Sequence, residues 1–218
     1  MDLILLATIP YSGTNFVANL LANHDDILEL KPEYMSWLKY RGITLPYTEP
    51  DFMERVKYEF PLRCKYIYIQ SHTDEFLAKY LIKFKPVDFQ VITTIRNPYH
   101  NLRSAILQCP DYDSLNEFIA VAVRYLTLLH MIKTENPIVI PIDIADNKFE
   151  YAIDMFGELG LALNKKVVDI IMNWEPVNIG EYKRELTQDE DNFIREIIER
   201  LNLINKIKEV VNVEYNLS

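Results

Sequence analysis

Apolar residues along this chain follow two rhythms. Short dense runs at residues 2–9, 64–70, 89–95 and 137–142 predict strands, and a briefer run at 27–30 predicts one more. The first (DLILLATI) has no polar alternation, as in a strand buried on both faces of a parallel sheet. The second (CKYIYIQ) alternates and is rich in aromatic and β-branched residues. Between the runs, apolar residues recur three and four apart, as in Phe16, Val17, Leu20 and Leu21. That spacing predicts helices over 14–23, 74–84, 98–108, 114–133, 147–159, 164–173 and 187–208. Local signals support several of them. Pro98 suits a first helical turn, Ser114 an N-cap and Gly160 a helix stop. Thr187 and Glu190 have the spacing of a capping box.

Strands alternating with helices imply βαβ units and a parallel sheet covered on both faces. The expectation is one α/β domain over 1–218, a central parallel sheet flanked by helices in three layers. No repeat, low-complexity tract or interdomain linker interrupts it. Residues 31–62 fit neither rhythm. They hold Pro32, Pro46, Pro50 and Pro61 among seven aromatics, and predict loops and short helices covering a site, with recognition of its ligand partly there.

Composition narrows the function. In 218 residues, 49% hydrophobic and 12% aromatic content argues for a folded globule. The net charge of −9 disfavours a general nucleic-acid or anionic-membrane binder, but leaves room for a local anion site. Residues 63–103 carry seven Lys and Arg against three acids, a basic stretch in an acidic protein. Two cysteines, Cys64 and Cys109, give no zinc or disulfide framework. No apolar run approaches the roughly 18–20 residues of a membrane span.

Two segments carry candidate chemistry. Leu3–Asn15 (LILLATIPYSGTN) is a strand pattern ending in the turn Pro10-Tyr11-Ser12-Gly13-Thr14 and then a helix pattern. Val91–Ser104 (VITTIRNPYHNLRS) repeats the plan around Arg96-Asn97-Pro98, with Ser104 eight residues past the arginine. A strand, a Ser/Gly/Thr turn and a helix N-terminus make an anion site, because backbone N–H groups and the helix dipole converge there. An Arg at the end of a buried strand lies where open α/β sheets bind ligands, and its guanidinium grips phosphate bidentately. The alternative for Arg96 is a salt bridge to a neighbouring acid. Two such sites suggest a ligand with two separate phosphate groups. The first turn is not a Walker A loop, because the leading Gly and the Lys are missing.

At these residues the chain resembles the P-loop sulfotransferases, which use 3′-phosphoadenosine 5′-phosphosulfate (PAPS) and release 3′-phosphoadenosine 5′-phosphate (PAP). Pro10, Ser12, Gly13 and Thr14 match the family's P-[KR]-[ST]-G-T motif for the 5′-phosphosulfate. Arg96 and Ser104 match its 3′-phosphate pair. The resemblance implies a three-layer P-loop-type domain and an anion site formed by Tyr11, Ser12, Gly13, Thr14 and Asn15. It also implies that His72, in Gln70-Ser71-His72, is the base, as in the family's K-[TS]-H. Imidazole titrates near neutrality and suits that role; a helix-cap or surface His is the bland alternative.

Softer matches follow. Phe156, Leu159, Gly160 and Leu161 resemble an F-x-x-L-G-L run of bacterial sulfotransferases. Gly180, Tyr182, Lys183, Leu186 and Thr187 resemble the segment that closes over the nucleotide, which places Tyr182 and Lys183 at the cofactor. The family's Arg-Lys-Gly before that segment is Glu175-Pro176-Val177 here, with Lys183 or Arg184 as possible compensation.

The family's basic residue in the first motif is Tyr11 here, and its triplet Lys is Gln70. A phenol is a weaker donor to a leaving-group oxygen than a cation. Lys65 and Arg103 are candidate substitutes. The implied activity is sulfuryl transfer from PAPS to a hydroxyl or amine of a small-molecule or carbohydrate acceptor, with no metal required. The alternatives are a catalytically impaired PAP/PAPS-binding relative and a divergent P-loop small-molecule kinase. Golgi members of the family carry an N-terminal anchor; without one, the expected place is the cytoplasm, with no membrane or nucleic-acid partner.

Overall fold

The computed structural model describes residues 2–29, 64–72, 89–108, 114–142, 148–173, 184–213 and 215. The described strands are β1 (Asp2–Thr8), β2 (Ile27–Glu29), β3 (Tyr66–His72), β4 (Phe89–Ile95) and β5 (Ile138–Pro141). All pair in parallel, in the order β2-β3-β1-β4-β5. The helices are α1 (Thr14–Ala22), α2 (Pro98–Gln108), α3 (Ser114–Glu135), α4 (Lys148–Glu158), α5 (Lys165–Asn173), α6 (Gln188–Arg200) and α7 (Leu203–Val211).

β1 lies at the centre, and every residue from Leu3 to Thr8 is buried. Leu3, Leu5 and Ala7 face one core with Leu102, Val121, Tyr125, Ile194 and Ile207, which brings in α2, α3, α6 and α7. Ile4 and Leu6 face the other with Val17, Leu20, Phe156 and Val167, which brings in α1, α4 and α5. The unbroken apolar run of β1 is therefore needed by both faces. The predicted three-layer α/β architecture is the architecture found.

Two boundaries differ from the sequence expectation. β3 begins at Tyr66 and runs through His72, because its register with β1 extends from Asp2↔Tyr66 to Thr8↔His72. The single helix expected over 187–208 is two, α6 and α7. Asn202 between them adopts φ 52°, a left-handed conformation that ends one helix and begins the next. The F-x-x-L-G-L run closes α4. Gly160, at φ 61°, donates to the Gly157 carbonyl at 2.9 Å, and Leu161 donates to Phe156 at 2.8 Å. These are the two bonds of a Schellman motif.

Candidate functional site

Because β1 is central, its connection to β2 leaves on one side and that from β4 to β5 on the other. Such a switch point opens a crevice beyond the strand carboxyl ends. Both sequence motifs lie there.

The first turn is held from beneath by hydroxyls. Ser12 Oγ donates to the Ile9 carbonyl at 2.8 Å, so its 2.6 Å bond with Thr94 Oγ1 of β4 has the threonine as donor. Thr14 Oγ1 donates to Thr8 Oγ1 at 2.8 Å. Ser12 is fully buried, and Thr14 is 8% exposed. Both hydroxyls thus face the sheet, and what the turn offers outward is main chain.

The main chain alternates in hand. Tyr11 has φ 63° and Gly13 φ 80°, while Ser12 between them has no positive φ. Such alternation makes a concave anion nest of N–H groups. Gly13 is also the N-cap of α1. A Cβ there would stand 2.6 Å from Ile142 Cγ2, so the residue just past β5 closes over the turn. The ring of Tyr11 packs, half-buried, against the core cluster that contains Leu102 and Ile95.

The second motif joins the first. Arg96 Nη1 donates to the Tyr11 carbonyl at 3.1 Å and to Ser104 Oγ at 3.3 Å. Tyr125 of α3 donates its hydroxyl to the Arg96 carbonyl. Asn97 caps α2 through its Oδ1, which accepts from Tyr99 N at 2.9 Å, and Pro98 fills the first turn. One turn on, Asn101 Nδ2 donates to the Pro10 carbonyl at 3.1 Å.

The start of α6 docks beside this. Tyr99 donates its hydroxyl to Asp191 Oδ1 at 2.5 Å, and Arg195 Nε donates to Asp191 Oδ2 at 2.8 Å. The Arg195 guanidinium lies 4.9 Å from the centre of the Tyr99 ring. These bonds, Arg195 first, hold the Asp191 carboxyl below the usual carboxylate range, with the Arg103 charge adding to the effect. Burial, then the bond to Asp191, pushes the Tyr99 phenol up. Leu186 packs on the same core as α6, and Thr187 caps that helix in a complete capping box with Glu190.

The structure thus gathers Tyr11, Ser12, Gly13, Thr14, Arg96 and Ser104, with Asn15 in the first turn of α1. His72 ends β3 opposite Thr8, at the same edge of the sheet. Tyr182 and Lys183 and the expected 31–62 cover lie outside the described residues, as does the helix expected over 74–84. The two proposed basic substitutes part company. Lys65 precedes β3, at the opposite end of the sheet, where its Nζ donates to the carbonyls of Leu159 at 3.0 Å and Gly160 at 3.3 Å. That removes it as a stand-in for the missing cation. Arg103 lies on α2, near enough to Asp191 for its charge to act there. Arg184 is engaged by Glu190 through two bonds of 2.7 Å.

Asn101, Thr94 and Thr8 were not anticipated. A signal for Asn101 existed: Asn97, Asn101 and Ser104 recur four and three apart on a buried helix face, and polar residues at core spacing ask for partners.

The α/β fold with its five-stranded parallel sheet is shared by solved sulfotransferases. Mouse sulfotransferase SULT7A1 complexed with PAP is similar at 14% identity, TM-score 0.57, over 95% of this chain and 84% of that one. A sulfotransferase from Alicyclobacillus acidocaldarius is similar at 14% identity, TM-score 0.58, over 99% and 97%. The sulfotransferase domain from the curacin biosynthetic pathway is similar at 10% identity, TM-score 0.55, over 92% and 97%. At the level of sequence, no family model matches the chain and no curated protein matches it. Among the described residues, no helix is long and apolar enough to cross a membrane.

Proposed function

We propose that this chain is a PAPS-dependent sulfotransferase acting on a hydroxyl or amine of a small-molecule or carbohydrate acceptor. The observation that carries the reading is the placement of Arg96 Nη1, 3.1 Å from the Tyr11 carbonyl and 3.3 Å from Ser104 Oγ. Two motifs that sequence alone leaves 85 positions apart meet through this contact, which supports a site with two anion-binding halves. The residues fit such a ligand. The alternating turn presents N–H groups at a helix N-terminus, and the Arg–Ser pair lies beyond the end of β4.

Tyr11, Ser12, Gly13, Thr14 and Asn15 hold the 5′-phosphosulfate in this reading. Arg96 and Ser104 hold the 3′-phosphate, and Tyr182 and Lys183 close over the nucleotide. PAPS, when bound, supplies the sulfuryl group and a leaving group already ionised. His72, at the carboxyl edge beside β1, takes the acceptor proton. Tyr11 favours a second reading, a PAP-binding relative with impaired turnover, because its phenol stands where the family's cation does and its ring packs into the core.

The test is calorimetric titration with PAP beside AMP and ATP, followed by a sulfation assay on the wild-type chain and His72→Ala. Binding of PAP well above AMP is expected, and His72→Ala should keep that binding while losing transfer. Equal affinity for PAP and AMP overturns the bisphosphate site. Full transfer by His72→Ala removes His72 as the base. ATP turnover with no response to a 3′-phosphate replaces the reading with a kinase.

A further inference from the structure

Three successive carbonyls of the first turn are each taken by a side chain. Ile9 is held by Ser12 Oγ at 2.8 Å, Pro10 by Asn101 Nδ2 at 3.1 Å and Tyr11 by Arg96 Nη1 at 3.1 Å. In a planar trans peptide the carbonyl and the next N–H point in opposite directions. Holding the Pro10 carbonyl therefore fixes the direction of the Tyr11 N–H, and holding the Tyr11 carbonyl fixes that of Ser12. Two of the three donors come from outside the turn, Arg96 from just past β4 and Asn101 from α2.

Asn101 is fully buried, and its Oδ1 is buried with no partner among the described residues. An unsatisfied buried acceptor destabilises a fold. An apolar residue of similar size would avoid that cost, and what it would lose is the bond to Pro10.

We propose that Asn101 is a positioning residue. Through the Pro10 carbonyl it sets the Pro10–Tyr11 peptide so that the turn faces an incoming 5′-phosphate or phosphosulfate with its N–H groups. The proposal rests on the reading of this turn as the 5′-anion site. It predicts separate duties: Asn101 serves the 5′ half, whereas Arg96 with Ser104 serves the 3′ half and supports the turn.

The test is Asn101→Leu, titrated with AMP and with PAP, with thermal unfolding in parallel. Both affinities should fall together by roughly three- to tenfold, the loss of one neutral hydrogen bond. The ratio of PAP to AMP affinity should stay at the wild-type value, and the thermal midpoint should hold or rise. A purely structural role moves the midpoint down with affinity untouched, and that result overturns the proposal. A collapsed PAP-to-AMP ratio overturns it as well, because Asn101 would then act through Arg96. If Asn101→Leu fails to fold, Asn101→Gln and Asn101→Ala decide: Gln keeps a donor and should retain affinity that Ala loses, and equal affinities sink the idea. A wild-type chain that binds neither ligand overturns the site itself, which is a different result from a wild type that binds beside a variant that binds equally well.

Discussion

Arg96 reaches back across 85 positions of sequence to the main-chain carbonyl of Tyr11, which its Nη1 holds at 3.1 Å. The side chain expected to grip one phosphate also braces the turn expected to grip the other. Arg96→Ala should therefore weaken PAP more than AMP, and weaken both. A hydrogen bond to a charged group is worth about 1.5–3 kcal/mol, so PAP affinity should fall by roughly ten- to hundredfold and most of the preference over AMP should vanish. Arg96→Lys keeps the charge but not the fork, and should recover only part of it. Calorimetry on the three proteins decides. Equal weakening of PAP and AMP in Arg96→Ala would leave the arginine as a brace only, and unchanged binding of both would remove it from the site.

Gly13 is held to glycine twice over, by φ 80° and by Ile142 Cγ2 at 2.6 Å from where a Cβ would stand. A left-handed L-residue costs about 1–2 kcal/mol, and overpacking typically another 1–3 kcal/mol. Gly13→Ala should lower the thermal midpoint by roughly 6–12 °C for about 3 kcal/mol in a chain of this size. Adding Ile142→Ala removes the two nearest carbons and should return the packing share but not the backbone share. The two substitutions should therefore be non-additive by about 1 kcal/mol or more. Strict additivity in thermal unfolding would mean that Ile142 does not press on the turn.

Much of this site could be read from the sequence, for a physical reason. Strand, turn and helix signals are local, so β1, α1, β4 and α2 follow from apolar spacing and from Pro98 and Gly13. Motif spacing then relates Arg96, just before α2, to Ser104 on that helix. The partnerships between segments were not legible. Nothing in the string of letters says that Thr94 meets Ser12 or that Asn101 meets Pro10, because sheet order decides both. The break at Asn202 was missed because the apolar spacing continues through it with Leu203 and Ile207. The same chemistry explains the left-handed residues. Asn136, Asn202 and Asn212 adopt positive φ as short polar residues do, whereas Tyr11 is the one bulky residue that does so among those described. Strained backbone persists where the surroundings over-determine it, which is common at functional sites.

Tyr11 also separates the two functional readings. Tyr11→Lys places a cation where a neutral phenol now stands. Charged donors are roughly twice as strong as neutral ones, which at about 1.4 kcal/mol of added transition-state stabilisation is tenfold in turnover. The expected outcome is a rise in kcat of about that size, with a lower thermal midpoint, because the Tyr11 ring packs on the Leu102 and Ile95 core. An inactive wild type whose Tyr11→Lys variant sulfates an acceptor would establish the impaired-relative reading. A fall in kcat from an active wild type would show that the phenol itself is the donor.

Glu190 ties α6 to the residues just before it, and its titration can be followed. The Arg184 guanidinium, first, and then the amide and hydroxyl of Thr187 hold its carboxyl down to about 2, against an ordinary value of 4.5. A carboxyl with a lowered native pKa binds fewer protons folded than unfolded. Its contribution is complete above the unfolded value and is lost as pH falls through the native one. The wild-type thermal midpoint should therefore fall between about pH 5 and pH 2 more steeply than that of Glu190→Gln. The two curves should lie apart at neutral pH and converge only below about pH 2, once the carboxyl is protonated in the folded as well as the unfolded chain. Thr187→Ala removes the other half of the capping box, worth about 1 kcal/mol, and should lower the midpoint by roughly 2–4 °C at neutral pH. Parallel curves for wild type and Glu190→Gln across the acid range would mean that the Arg184–Glu190 pair is formed equally in the unfolded chain.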